Sequence, residues 1–160
     1  ELKEMSNLFS ILGWEHTMGE NHARLLHQHG RADPGSYARG ILLYARAQAA
    51  FNGLIEEAKS YLTEGIDLAE VEGLELQIRS AVERRSEFTD FVANQVLTAA
   101  AGAKGGIIDL PKPEELFKAL VEGLRTLWRE HRDLQESRRK ELREQLDALK
   151  WRPFEELMDS

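Results

Sequence analysis

The spacing of apolar side chains over residues 67–101 constrains the fold of this chain more than any other feature. Seam positions recur there three or four residues apart, at Val71, Leu74, Ile78, Ala81, Arg85, Phe88, Val92, Gln95 and Ala99. This spacing places the seam on one face of a helix and is typical of helices that pack in bundles, whereas a strand would alternate every second residue. The segment is therefore predicted to be a long bundle helix.

A second long helix is predicted over residues 34–64. Asp33 is suited to cap its first turn, and Pro34 can occupy the first helical position, where a missing N–H costs nothing. One stripe follows at three- and four-residue spacing, formed by Tyr37, Ile41, Tyr44, Gln48, Phe51, Ile55, Ala58 and Leu62. Gly65 then lies where a helix commonly ends.

A third long helix is predicted over residues 113–151. Its seam begins with Leu116, Leu120, Leu124, Leu127, His131 and Leu134. No aliphatic or aromatic residue follows until Leu142, but opposite charges four residues apart are expected to carry the helix through that polar stretch, where it projects past the bundle or kinks near Ser137. Because residues 135–141 are all polar, this part is expected to reach into solvent or to contact a partner through charge.

The first 30 residues are predicted to form a shorter helical segment interrupted at Gly13 and Gly19. With the three long helices, this segment gives an all-α fold, an elongated antiparallel helical bundle that takes up residues 1–160 as a single domain.

Composition supports a helical fold and excludes several functional classes. Leu and Ala are abundant, and both enter helices at little cost. The chain has no cysteine, which removes disulfides, thiolate zinc sites and cysteine nucleophiles. Its formal net charge of -7 is opposite to the basic surface that nucleic-acid-binding proteins need, so nucleic acid is not expected as a partner.

Four of the five histidines lie near the N-terminus, where carboxylates accompany them. Imidazole and carboxylate groups together are ligands that zinc and other first-row metals prefer. The spacing matches no established metal motif, however, and a polar, solvated segment is the favoured interpretation. The candidate ligands are His16, His22, His27 and His29, with Glu15 and Glu20 among them.

Arg85 and His131 are polar residues on otherwise apolar seams. One interpretation is a paired catalytic or switch site inside the bundle. The favoured one is a buried polar contact that fixes helix register, or a side chain that extends to the rim. No established catalytic motif occurs in the chain, so no catalytic residue and no cofactor are predicted.

The densest basic patch is formed by Arg138, Arg139, Lys140 and Arg143. Glutamates alternate with it, and such mixing is typical of a solvated helix face. These four residues are the candidates for an interaction surface with a protein partner.

The connector over residues 96–108 is rich in glycine and alanine. A flexible turn between helices is the favoured interpretation, and a hairpin tip that meets lipid is the alternative. The connector is too short to span a bilayer and too weakly hydrophobic to anchor in one. No run of about 18 apolar residues occurs in the chain, so no transmembrane segment is predicted and peripheral membrane contact is not expected.

The function predicted from the sequence is therefore a non-enzymatic domain for protein–protein interaction, or a structural accessory domain, with a protein partner or self-association. Two alternatives remain open: a metal-binding or enzymatic bundle that uses the N-terminal histidines, and a membrane-active helical protein with the connector as its tip. The chain starts at Glu1, so a soluble domain either in the cytoplasm or outside it after N-terminal processing is compatible with the sequence.

Overall fold

A computed structural model of the chain describes residues 7–63, 68–97 and 110–159, with the backbone alone for 68–72. The α-helices within these ranges are α1 (Leu8–His29), α2 (Pro34–Thr63), α3 (Leu68–Phe91), α4 (Pro113–Glu130), α5 (Glu136–Asp147) and α6 (Phe154–Met158). A π-helical segment, Val92–Leu97, extends α3, and a 3-10 turn, His131–Asp133, follows α4. No described residue lies in a strand, so the predicted all-α class is confirmed.

The longest pair of packed helices is α2 and α3, and the two run antiparallel. The groove on their outer side is lined by Ala49 and Ser80 in one part and by Arg39 and Asp90 in another. Residue numbers therefore rise along α2 as they fall along α3. This opposite direction follows from the short connection between them, which favours a helical hairpin.

The helix α4 also packs against α3, again antiparallel. Two exposed ion pairs fix the order: Arg79 lies 3.4 Å from Glu114, and Arg125 lies 2.5 Å from Glu75. The same helix also packs against α1, and α5 packs against α2. The side chains between these helices form one cluster of buried apolar residues drawn from all six helices.

The buried faces agree with the predicted seams. Five of the eight stripe residues of α2 are buried and the other three are partly buried; the buried ones are Tyr44, Phe51, Ile55, Ala58 and Leu62, and the partly buried ones are Tyr37, Ile41 and Gln48. In α4 the aliphatic seam positions are likewise buried, at Leu116, Leu120, Leu124 and Leu127. The three-and-four spacing therefore identified which face of each helix lies against its neighbours.

The prediction of one unbroken helix over 113–151 is wrong. The helix α4 ends at Glu130, and after the 3-10 turn both Leu134 and Gln135 are extended, with ψ of 138° and 153°. The helix α5 then starts anew and packs against α2. The apolar residues beyond the polar stretch, Leu142 and Leu146, are buried there, and this burial favours a change of chain direction over a straight helix.

The prediction of an interrupted N-terminal segment is also wrong. The helix α1 is continuous over 22 residues, through both Gly13 and Gly19. Its first turn is capped by Asn7, whose side chain accepts a hydrogen bond of 2.9 Å from the backbone N–H of Phe9. Packing against neighbouring helices offsets the low helix propensity of glycine.

Some predictions fall outside the described residues. These include the helix end at Gly65 and most of the connector over 96–108, of which the structure describes only residues 96 and 97. Within the described part of the chain, none of the helices combines the length and the apolar character that crossing a membrane would require.

Candidate functional site

The most deeply buried charges in the described part of the chain form an ion pair between α1 and α3. Arg85 donates from Nε to Oε1 of Glu15 over 2.8 Å, and the side chains of both residues are almost completely inaccessible. The other end of the guanidinium donates to the carbonyl oxygen of Pro111 over 3.0 Å. The pair therefore links α1 and α3 to the residues that lead into α4.

His22 lies two helical turns after Glu15 on α1 and is also buried. Its Nδ1 donates to the carbonyl oxygen of Met18 over 2.9 Å. Burial raises the pKa of the Glu15 carboxyl, and the neighbouring Arg85 opposes that rise. Burial lowers the pKa of the His22 imidazole, the hydrogen bond to Met18 opposes this, and the charge of Arg85 adds to the lowering.

This arrangement corrects the interpretation of the N-terminal histidine segment as solvated, because Glu15, Glu20 and His22 are buried. It agrees with the favoured interpretation of Arg85 as a buried polar contact between helices. Arg85 and His131 belong to separate contacts, since Nδ1 of His131 is hydrogen-bonded to the carbonyl oxygen of Trp128. The ion pair joins two helices, and both of its side chains are closed off from solvent.

The other N-terminal histidines lie in three different surroundings. His16 donates from Nδ1 to the carbonyl oxygen of Leu149 over 3.0 Å, and Nδ1 of His27 lies 2.8 Å from the hydroxyl of Tyr37. His29 is exposed at the end of α1. Among the described residues no three His, Asp or Glu side chains converge in a way that would hold a metal ion. The structure therefore divides the four candidate ligands among separate contacts.

A turn at residues 149–153 is held to α1 and α2 by a dense set of polar contacts. Asn52 binds the backbone of Trp151 twice, accepting from its N–H over 2.8 Å and donating to its carbonyl oxygen over 3.1 Å. Tyr44 donates to the carbonyl oxygen of Arg152 over 2.7 Å. The carboxylate of Glu20 accepts from both the backbone and the guanidinium of Arg152.

The aromatic ring of Trp151 fills the space that this turn covers. It stacks on Phe51 with ring centroids 5.0 Å apart and an interplanar angle of 13°. Burial by itself would raise the pKa of Glu20, but the hydrogen bonds from Arg152 hold the pKa of that carboxyl below its ordinary value. The turn is thus a structural closure whose polar groups are satisfied within the chain.

The basic patch predicted from the sequence lies on α5, and three of its four residues are engaged within the chain. Arg138 pairs with Glu141 at 2.9 Å, and Arg139 pairs with Glu136 at 3.3 Å. Arg143 pairs with Glu136 at 3.0 Å and donates to the carbonyl oxygen of Leu62 over 2.9 Å. The fourth residue, Lys140, is exposed. Local carboxylates therefore offset much of the positive charge of this patch.

The outer side of the α2–α3 pair differs from the sites above because several of its charged groups pair with no described residue. Two adjoining grooves of about 490 and 450 Å³ follow the two helices and share Arg46 and Arg84 as walls. The floor of one groove is formed by the small side chains of Ala49, Ala50 and Ser80. We call this surface, from Arg39 to Gly53 on α2 and from Leu76 to Asp90 on α3, the α2–α3 face.

Charges on the α2–α3 face are divided between the two helices. Arg39 and Arg46 on α2, and Glu83 and Asp90 on α3, are exposed and form no ion pair with a described residue. Arg84 pairs with Glu87 at 3.3 Å, and Arg79, at the side of the face nearer α4, pairs with Glu114 at 3.4 Å. This face was not predicted from the sequence, although Arg39 and Arg46 stand seven residues apart on one side of a predicted helix.

Comparison with other proteins adds no further constraint. No protein-family model matches the chain, and no curated protein or solved structure shows significant similarity to it.

Proposed function

We propose that this chain is a non-enzymatic domain for protein–protein interaction, or a structural accessory domain, and that its docking surface is the α2–α3 face. The observation that carries the proposal is that Arg39 and Arg46 are exposed beside an open groove and pair with no described carboxylate. Interfaces commonly combine an apolar centre with a charged rim that steers the partner. A floor of small residues between such charges suits a helix from another chain.

Two exposed apolar side chains support the same surface. Leu42 on α2 is 46% exposed and Leu76 on α3 is 78% exposed. Leu42 stands four residues before Arg46, and Leu76 stands four residues before Ser80, so both lie on the sides of their helices that border the groove. A partner on this face would remove both leucines from water, which favours association.

We also propose that residues 1–160 form a single domain, an elongated antiparallel bundle. Two observations support this proposal. The helix α3 runs antiparallel to both α2 and α4, and one apolar cluster is shared by the helices. The 30 residues of α2 span about 45 Å at 1.5 Å per residue, so the α2–α3 face is long enough for several turns of a partner helix.

The absence of cysteine from the chain makes a direct test possible. A single cysteine placed by Ala49→Cys carries a thiol-linked photo-crosslinker on the floor of the groove. A matched cysteine placed by Ser137→Cys carries the same crosslinker on the exposed surface of α5. Both labelled proteins are irradiated in an extract of the source cells, and the adducts are identified by mass spectrometry.

We expect a defined adduct from position 49 that is absent from position 137 and that unlabelled wild-type protein suppresses. Adding Arg39→Glu and Arg46→Glu to the labelled protein should reduce the adduct. Adducts that are identical from the two positions, or that excess wild-type protein does not suppress, would remove the α2–α3 face as the docking surface.

A further inference from the structure

We infer that the α2–α3 face binds a second copy of this chain, as the two-fold interface of a homodimer; the inference rests on the proposed function of this face. The inference is based on charge, because the face carries a positive row on one helix and a negative row on the other. Positive charges lie on α2, at Arg39 and Arg46, and unpaired negative charges lie on α3, at Glu83 and Asp90. A two-fold interface must be complementary to itself, and this division of charge meets that condition.

The spacing of the two sets of charges is the same. Arg39 and Arg46 are seven residues apart, and so are Glu83 and Asp90. Seven residues are about two turns of a helix, so each set forms a row of two charges about 10.5 Å apart on one side of its helix. A row of two guanidiniums can therefore meet a row of two carboxylates without bending either helix.

The positive charges of α2 and the negative charges of α3 also lie at matching positions along the length of the two helices. Arg39 borders the groove together with Asp90, and Arg46 borders it together with Arg84, the neighbour of Glu83. A two-fold axis parallel to the helices keeps every residue at its own level. It therefore brings Arg39 opposite Asp90 of the second copy and Arg46 opposite Glu83 of the second copy, and each contact occurs twice.

This arrangement accounts for the neutral and apolar features of the face as well. Arg39, Arg46 and Arg84 are balanced by Glu83, Glu87 and Asp90, and the remaining Arg79 is balanced by Glu114 of α4, so two copies meet without excess charge. The small floor residues Ala49 and Ser80 permit close approach of the helices. Leu42 and Leu76, both exposed in the single chain, would be removed from water.

The test uses two charge-reversed proteins and their mixture. The α2-reversed protein carries Arg39→Glu and Arg46→Glu, and the α3-reversed protein carries Glu83→Arg and Asp90→Arg. All four side chains are exposed, so both proteins should keep the helical circular dichroism and melting behaviour of the wild type. Sedimentation velocity over a range of concentrations measures the mass of each.

The wild-type chain should approach twice its mass of 18.2 kDa as its concentration rises, and added salt should weaken the association. Each reversed protein alone should associate at least about tenfold more weakly, because like charges then face each other at four contacts. An equimolar mixture of the two should regain the dimer, since the negative row of one now faces the positive row of the other. The control, Arg138→Glu with Arg139→Glu and Lys140→Glu on α5, should associate like the wild type.

A wild-type chain that stays monomeric at every concentration overturns the inference, as does a mixture of folded reversed proteins that does not associate. Equal weakening by the α5 control would also overturn it. These outcomes can be told apart from failure of the proposed function. If the wild type is monomeric but position 49 still crosslinks specifically to a different protein, the α2–α3 face remains a docking surface. Only the second copy is then excluded as its partner.

Discussion

The close approach of Trp151 to α1 provides a sharp test of the packing. A Cβ atom added at Gly19 would lie 2.5 Å from two carbons of the Trp151 ring and 2.8 Å from a third. The ring cannot easily retreat, because its other side is stacked on Phe51. Gly19→Ala must therefore displace either the ring or α1.

The magnitude follows from two opposing effects. Overpacking a well-filled core costs about 1–3 kcal/mol, while Ala in place of Gly inside a helix contributes about 1 kcal/mol of stability. Gly13 lies in the same helix, where an added Cβ would lie 3.7 Å from Leu149, an ordinary contact. Gly13→Ala should therefore increase the free energy of unfolding by up to about 1 kcal/mol, and Gly19→Ala should decrease it. The difference between the two variants isolates the overpacking effect, about 1–3 kcal/mol.

Urea denaturation followed by far-ultraviolet circular dichroism measures both free energies of unfolding. A double-mutant cycle tests whether the Trp151 ring causes the destabilisation. In a Trp151→Ala background the ring is absent, so Gly19→Ala should increase the free energy of unfolding as much as Gly13→Ala does. If Gly19→Ala stabilises the wild-type chain as much as Gly13→Ala does, the ring does not lie against Gly19 and the proposed closure is wrong.

Two further predictions concern the buried polar groups. Arg85→Met should lower the free energy of unfolding by about 3–5 kcal/mol, since it leaves Glu15 buried without its cation, and adding Glu15→Leu should recover most of the loss; no recovery in chemical denaturation would contradict this account. Because the pKa of His22 is lowered in the folded chain, the unfolded chain binds more protons as the pH falls below about 6.5, and stability should fall with it. That loss between pH 7 and pH 5 should shrink in His22→Gln but not in His29→Gln, and equal losses in all three proteins would show that His22 does not cause it.

Much of the fold could be predicted because it depends on local spacing. Pro34 starts α2 as predicted, and the helix continues to Thr63, where this described range stops. The seams of α2 and α4 depend only on which residues are apolar and on the period of a helix. The break after α4 could not be predicted in this way, because the ion pairs near Glu136 suit a straight helix equally well. What bends the chain is burial of Leu142 and Leu146 beside α2, a long-range contact that local spacing does not contain.

The buried ion pair was only half predictable. Arg85 lies on an apolar seam, and its burial followed from that position. Its partner Glu15 was missed because charged residues near a loop are usually solvated. A signal was present nonetheless: Leu8, Leu12, Glu15, Gly19, His22 and Leu26 are spaced alternately four and three residues apart, which is the pattern of one buried stripe. Polar residues on such a stripe can be as buried as their apolar neighbours when each finds a partner.

The closure at Trp151 has a consequence for how fast the chain folds. Most helical proteins fold quickly because their contacts join residues close in sequence. Here the hydrogen bonds that hold the turn connect residues 99, 103 and 132 positions apart, so a long loop must close before they can form. Individual helices can form early, whereas the packing of α1 against α2 around the Trp151 ring must wait for this long-range step. We therefore expect the chain to fold more slowly than a helical bundle of its size with only neighbouring contacts.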